Sequence, residues 1–550
     1  MNISSNIRQL TNIFILLFLA LSGSLVYWQV VVPQQVIANN HNSRTRLADA
    51  TPVRGNIFDR NGVLLAYSKP DPNVLGGYTR VYTDSSLAGL LGYYIHGLVA
   101  PNDYTLTGIE KQYDDVLSGH TGSTALGNTV NTILHRPPVG SDVYLTIDER
   151  IQKIANGHFD DATAGTQGSN RGSIIVTDPH TGEILAMVSR PTFDPNKMVQ
   201  TLQHHDFSYY NQLVADKDNP LLVRPLQGMY PPGSTYKTLT LLAGLDTGKT
   251  TLNQQFNQQQ ALGPIIVNGQ KIGPEGNNIG PPDANYTKHY PVTTEYGFTH
   301  SDNIIFAQIG LETGLSAWMD YNKRFYVGQK IPFDLPVAIS QVLPPGKDTM
   351  ADNELAADSF GQGTDFVTPF QMSLIDAAVA NDGTLMRPRL VRQVAEHQTV
   401  TDTQKNYQGN VIQTFDPLTL GTPINQQTAI QTRQAMYGVT RCGSGLLVAP
   451  LVGSSTSIIA KTGTAQIGGA GTFPHGWMIT AAPYTVTNPG QMPALAIVAM
   501  KENDGHGADA VGPLIAHTYE DVFSQLKEYS QVQLPPILGL EYCAKTGLLQ

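Results

Sequence analysis

Tyr230-Pro-Pro-Gly-Ser-Thr-Tyr-Lys237 stands directly ahead of the apolar run Thr238-Leu-Thr-Leu-Leu-Ala243. Proline and glycine set a turn and the run behind them sets a helix, so the stretch predicts a helix over 234–246. Ser234 then falls in the first helical turn and Lys237 one turn on, on the same face. A serine hydroxyl is a weak nucleophile and needs an adjacent base. A lysine within hydrogen-bond reach serves if desolvation or a nearby cation lowers its pKa. The helix N-terminus also favours negative charge developing beside the serine.

Two further motifs follow in order. Ser301-Asp302-Asn303 lies at another helix start, where a second hydroxyl can relay a proton and an asparagine amide can bind peptide donors and acceptors. Lys461-Thr-Gly-Thr464 continues the strand begun by Ser457-Ile-Ile-Ala460. A strand edge pairs with an extended peptide, Lys461 adds positive charge, and Gly463 permits close backbone approach. A backbone N–H here, with that of Ser234, can form an oxyanion hole. Each triplet alone is weak, as the chain itself shows: Ser524-Gln-Leu-Lys527 and Lys545-Thr-Gly547 repeat two of the patterns at positions that read as ordinary surface.

Outward from the trio, Gly172-Ser-Ile-Ile-Val-Thr177 and Glu183-Ile-Leu-Ala-Met-Val188 flank a turn and predict a buried hairpin. Gly476-Trp-Met-Ile-Thr480 and Ala494-Leu-Ala-Ile-Val-Ala-Met500 predict further strands, and helical patterns fall at 302–315, 317–325, 369–381 and 511–528. Asp142-Val-Tyr-Leu-Thr-Ile147 predicts a strand, with Asp148 capping a helix over 149–159. Strands at both ends with helices between them predict an α+β domain, helices packed on an antiparallel sheet. Residues 50–145 read as a small mixed domain, with a hairpin turning at Asn61-Gly62, a helix opening at Gly108, and Asp59-Arg60 as an internal salt bridge. The expected division is a cytoplasmic tail 1–12, an anchor 13–32, a linker 33–49, the small domain 50–145, the main domain 146–530 and a tail 531–550.

The anchor reading rests on Ile13 to Val32, apolar apart from Ser22, Gly23, Ser24 and Gln29 and about the 20 residues a bilayer-crossing helix needs. Tyr27 and Trp28 suit an interface, and Arg8 ahead of the run places the tail inside and the rest of the chain outside. A cleaved signal peptide ending at Ser22-Gly23-Ser24 is the rival, but the apolar run continues past that point. Both readings export the bulk of the chain. The net charge of -10 lends nothing to a nucleic-acid partner. Gly248-Lys249-Thr250 lacks the first glycine of a P-loop, which would fall at Ala243. The fourteen histidines show no metal-ligand spacing, so neither cofactor nor metal is expected. Cys442 and Cys543 are expected as unpaired thiols, with one disulfide as the alternative. His475 with Trp477 is expected to pack rather than react.

The ordered trio resembles that of class B, monofunctional penicillin-binding proteins. The resemblance runs from about Arg54 to Ile515 and includes Arg54-Gly-Asn-Ile-Phe-Asp-Arg60, Gly108-Ile-Glu110, Asp178-Pro-His-Thr-Gly-Glu-Ile-Leu-Ala186, Tyr230-Pro-Pro-Gly-Ser-Thr-Tyr-Lys237, Ser359-Phe-Gly-Gln-Gly363, Asn381-Asp-Gly-Thr384 and His475-Gly-Trp477. It implies a penicillin-binding, serine β-lactamase-like transpeptidase domain, with helices on both faces of its sheet, behind a pedestal domain and one transmembrane helix. It also implies that Ser234 attacks the penultimate D-Ala of a peptidoglycan stem peptide, that Lys237 takes its proton and that Ser301 joins proton transfer. Asn303, Lys461, Thr462, Gly463 and Thr464 would bind substrate, and β-lactam antibiotics would acylate Ser234. A membrane glycosyltransferase partner follows from the resemblance alone. A D,D-carboxypeptidase, a β-lactamase-type hydrolase and a non-catalytic sensor or scaffold are the rivals. Residues 330–347 hold no glutamate to activate a deacylating water, which disfavours the β-lactamase.

Overall fold

The computed structural model describes residues 3–26, 53–74, 77–95, 106–120, 128, 139–272, 290–343, 346–446, 457–468, 472–529, 532, 538 and 540–548. The expected linker lies outside them, as does the part of the anchor beyond residue 26. A five-stranded antiparallel sheet organises the larger part of the chain. Its spatial order is Ile459–Ala465, His475–Ala482, Leu495–Lys501, Gly172–Asp178 and Glu183–Arg190. These strands are buried on both faces and therefore read as near-continuous apolar runs. The pleat still sorts their side chains. Ile174 and Val176 face a core shared with the helices Glu149–Gly157 and Gly507–Gln525, whereas Ile175 faces the core that holds Leu239, Phe306 and Leu374. Helices thus cover both faces, as the resemblance implies.

Asp148 caps Glu149–Gly157 as expected, accepting from the Arg150 N–H at 3.0 Å. The helices Asn303–Thr313, Leu315–Arg324 and Pro369–Ala380 lie where the periodicity puts them. Ser234 departs from expectation. It sits in a 3-10 turn, Gly233–Tyr236, and the α-helix begins only at Lys237, running to Asp246.

The small domain is built on a six-stranded sheet ordered Val411–Thr414, Val391–Ala395, Asp142–Leu145, Ile57–Phe58, Leu64–Pro70, Tyr78–Tyr82. The hairpin at Asn61-Gly62 is present, with Phe58 opposite Leu64. Ile57–Phe58 pairs in parallel with Asp142–Leu145 and the remaining neighbours are antiparallel. Two of the six strands come from beyond residue 390, and neither was expected. The Asp59-Arg60 pair is a correction. Asp59 accepts N–H groups from Asn61, Val63 and Glu149, while Arg60 reaches Glu183 at 3.1 Å. The turn's own amide groups occupy the Asp59 carboxylate, and the arginine is left to tie the two sheets together.

The N-terminal helix runs Ile3–Val26, starting earlier than the apolar stretch. Phe14, Leu16, Phe18 and Leu19 on it are each more than 60% exposed. Among the described residues no helix is long and apolar enough to cross a membrane.

The cysteines overturn the free-thiol expectation: Cys442 and Cys543 form a disulfide with a Cα–Cα separation of 5.7 Å. It joins the end of the helix Gln426–Cys442 to the C-terminal helix Leu540–Thr546 across 101 residues. Restricting so long a loop in the unfolded chain is worth roughly 4–5 kcal/mol on the chain-entropy view. Replacing both cysteines with serine is expected to lower unfolding free energy by about 2–5 kcal/mol, read by thermal melting against the wild type.

Candidate active site

Three elements bring the motif residues together. The Gly233–Tyr236 turn carries Ser234, the loop ahead of Asn303–Thr313 carries Ser301, and the edge strand Ile459–Ala465 carries Lys461. Lys237 is fully buried at their centre. Its Nζ lies 3.0 Å from Ser234 Oγ, 3.2 Å from Ser301 Oγ, and 2.5 Å from both the Ser301 carbonyl oxygen and Asn303 Oδ1. The last two atoms are acceptors only. A neutral amine has two N–H bonds, and these acceptors use both, which leaves its lone pair for the Ser234 hydroxyl. The arrangement is that of a nucleophile beside its base.

Burial is the main force on the Lys237 pKa, pushing it down to about 7 against the pull of Asp302. Lys461, also fully buried, is driven well below the ordinary lysine value, first by burial and then by Lys237. Its Nζ donates to Ser301 Oγ at 2.9 Å and to its neighbour's Thr462 carbonyl at 3.0 Å. Ser301 Oγ therefore bridges two amines that disfavour each other's charge.

Ser301 holds this position at a cost in strain. Its φ is +62°, the left-handed region that a residue with a Cβ seldom adopts. Such a conformation persists where its surroundings over-determine it, and it clusters at functional sites. Asp302 does much of this here. Its buried carboxylate caps the next helix, accepting from the N–H groups of Ile304 at 2.8 Å and Ile305 at 3.0 Å. In the sequence, the preference of aspartate for the N-cap is the signal that marks Asp302.

The edge strand packs tightly on the serine turn. A Cβ at Gly463 would lie 2.8 Å from Thr235 Cγ2 and 2.9 Å from the Pro232 carbonyl oxygen, so only glycine fits. Thr462 Oγ1 is 2.6 Å from Ser444 Oγ, and Thr464 Oγ1 lies 3.4 Å from His506 Nδ1. Gln362 Nε2 donates to the Thr464 carbonyl at 3.1 Å. Ser444 and His506 lie in no motif, and Gln362 lies in Ser359-Phe-Gly-Gln-Gly363, but no local pattern ties any of them to residues 18 to 102 positions away. Gly361, beside Gln362, has φ +80°, and a Cβ there would sit 1.9 Å from the Gly233 carbonyl oxygen. Gly361→Ala is expected to displace the serine turn and slow covalent labelling by fluorescent penicillin at least tenfold, measured as a second-order rate.

His475 packs as expected. Its ring meets Tyr230 edge-on at 5.4 Å and its Nδ1 accepts the Asn503 N–H at 3.0 Å. Ser524 and Lys527 are exposed at the end of the last long helix, and Lys545 is exposed near the C-terminus.

A nucleophile–lysine pair, a bridging second serine and a lysine-bearing edge strand define a serine acyl-transfer site. The sequence profile described as the penicillin binding protein transpeptidase domain matches residues 172–517, and that of the penicillin binding protein A dimerisation domain matches 54–143. The chain belongs to the penicillin-binding protein transpeptidase family. Among its relatives, the peptidoglycan D,D-transpeptidase PbpA of Mycolicibacterium smegmatis is 28% identical over 525 residues, covering 93% of this chain and 96% of that protein. The peptidoglycan D,D-transpeptidase MrdA of Escherichia coli is 26% identical, covering 87% and 77% respectively. Penicillin-binding protein A of M. tuberculosis, solved as an imipenem acyl-enzyme complex, superposes with a TM-score of 0.71 at 28% identity, covering 87% of this chain and all of that one.

Proposed function

We propose that this protein is a peptidoglycan D,D-transpeptidase that works through an acyl-enzyme on Ser234 and is acylated there by β-lactams. The observation that carries this is the fully buried Lys237 amine 3.0 Å from Ser234 Oγ, with its N–H groups engaged elsewhere. In the proposed course, Ser234 Oγ attacks the penultimate D-Ala carbonyl carbon as its proton passes to Lys237 Nζ. Backbone N–H groups of the serine turn and the 461–464 strand receive the developing oxyanion. The bond to the terminal D-Ala nitrogen breaks, and that nitrogen gains a proton relayed through Ser301 Oγ. An amine of a neighbouring stem then attacks the ester, Lys237 accepts its proton, and Ser234 is released. Lys461, Thr462 and Thr464 would hold the terminal carboxylate, Gly463 would let the strand lie close to the turn, and Asn303 would bind the substrate amide.

The division into a pedestal over 50–145 and a transpeptidase domain over 146–530 is part of the same proposal, as is anchoring by the N-terminal helix with the site outside the cell. Deleting residues 1–32 should then move the chain from the membrane to the soluble fraction. A membrane glycosyltransferase is the proposed partner, tested by co-purification through the pedestal. The function itself is tested by incubating the chain with lipid-linked, polymerised peptidoglycan and analysing the digest. Cross-linked dimers support it. Release of D-Ala without dimers would favour the carboxypeptidase.

A further inference from the structure

A second group of reactive side chains lies where the helix Gly507–Gln525, on the far face of the sheet from Leu239 and Phe306, packs beside Glu149–Gly157. His158 and Asp161 follow the first helix, and His517 and Asp521 lie one turn apart on the second. Asp161 Oδ2 is 2.8 Å from His158 Nδ1 and 2.6 Å from His517 Nδ1. Two imidazole nitrogens thus converge on one carboxylate oxygen, with one ligand atom from each of the three residues within 4.8 Å of the others. The far nitrogen of His158, Nε2, lies 2.9 Å from Asp521 Oδ2. With an ion bound, Asp521 would accept a hydrogen bond from His158 Nε2–H, which leaves the Nδ1 lone pair for the ion. Metal-bound histidines are commonly oriented by such an outer carboxylate. Each of the four side chains is about one-quarter to one-third exposed, so an ion has a route in and water can complete its coordination. The neighbouring cation, Lys501, donates to the Asp161 backbone carbonyl at 3.3 Å and faces Asp504 at 3.8 Å, so it does not occupy the Asp161 carboxylate.

We propose that His158, Asp161 and His517 bind a divalent zinc-like ion, with Asp521 holding His158 in the ligating tautomer. Zinc takes imidazole nitrogen at about 2.0–2.1 Å and carboxylate oxygen at about 2.0–2.2 Å, which sets tetrahedral ligands roughly 3.3 Å apart. The two histidine–aspartate pairs have to open by roughly 0.5 and 0.7 Å, and the two imidazole nitrogens have to settle at the same spacing from a separation of no more than 4.8 Å, within the reach of rotamer adjustments on partly exposed residues. Two imidazoles and one carboxylate suit a borderline ion and are poor for magnesium or calcium, which take oxygen ligands. The ion would clasp the first and last long helices of the main domain at a point remote from Ser234 in function.

The test uses the full chain in detergent micelles, freed of metal by chelation, with zinc or magnesium as the probe. Zinc is expected to bind one per chain by calorimetry and to raise the melting temperature by a few degrees when its free concentration is about a hundred times the dissociation constant. Magnesium should do neither. His517→Ala and Asp161→Asn should abolish both effects, and Asp521→Asn should weaken zinc about 10–100-fold. All three variants should still be labelled by fluorescent penicillin at the wild-type rate, which shows that they fold. A wild-type chain that takes up no zinc, or zinc binding that His517→Ala and Asp161→Asn retain in full, overturns the proposal and leaves these side chains as an ion-pair cluster.

Discussion

Replacing Lys237 with alanine is expected to slow acylation of Ser234 by a β-lactam about 10²–10⁴-fold, the usual contribution of a positioned base. Arginine should not restore the rate, because its guanidinium stays protonated and cannot accept the serine proton. The wild-type rate should carry the mark of the same group. Burial lowers the Lys237 pKa to about 7, so the acylation rate should rise with pH through that value and level off above it. The stability sign runs the same way. Between about 7 and the ordinary lysine value the unfolded chain holds a proton that the folded site has released, so unfolding free energy climbs with pH across this window. Rapid-mixing measurements with fluorescent penicillin over that range, wild type against Lys237→Ala, check the rate, and chemical denaturation over the same range checks the stability. A flat wild-type profile would remove Lys237 from the role of base.

The largest effect on stability is expected in the small domain. Glu110 is fully buried and accepts from Arg54 Nε and Arg80 Nε, both at 2.6 Å, and from the Tyr82 hydroxyl at 3.1 Å. Arg54 continues to Asp114 at 2.5 Å and Ser118 at 3.0 Å. Burial alone would raise the Glu110 pKa, but the two guanidiniums outweigh it and the net shift is downward. This contribution is present above the ordinary carboxylate range and is lost as pH falls through the lowered value. Glu110→Ala leaves buried Arg80 with no carboxylate partner among the described residues and Arg54 with Asp114 alone, and removing one partner of a buried pair costs about 3–5 kcal/mol. Chemical denaturation should show that loss near neutral pH. A change below about 1 kcal/mol would mean that water reaches the arginines freely.

These two sites differ in how far the sequence discloses them. Ser234, Lys237, Ser301 and Lys461 stand in short local patterns whose chemistry forces their spacing, so their convergence could be anticipated before any fold was known. Glu110 also sits in a readable motif, but nothing local says that Arg54 and Arg80, 56 and 30 residues away, close around it. The same limit hid the Cys442–Cys543 bridge and the two strands that Val391–Ala395 and Val411–Thr414 add to the small sheet. Val411–Thr414 is exposed throughout and lacks the alternation that marks a strand with one buried face. Apolar strands such as Leu495–Lys501 were plain because burial on both sides leaves an unbroken hydrophobic run. The 3-10 turn at Ser234 could not be told from a helical first turn, since both follow the same proline–glycine signal and differ by one hydrogen-bond register.

In the proposed function the Ser234 hydroxyl is the group that becomes acylated. Intact-mass spectrometry of the folded chain after incubation with benzylpenicillin, followed by peptide mapping, tests it most directly. The expected result is a single long-lived adduct on the peptide containing Ser234, absent in Ser234→Ala. An adduct on another residue, or one that Ser234→Ala retains, would rule out Ser234 as the nucleophile.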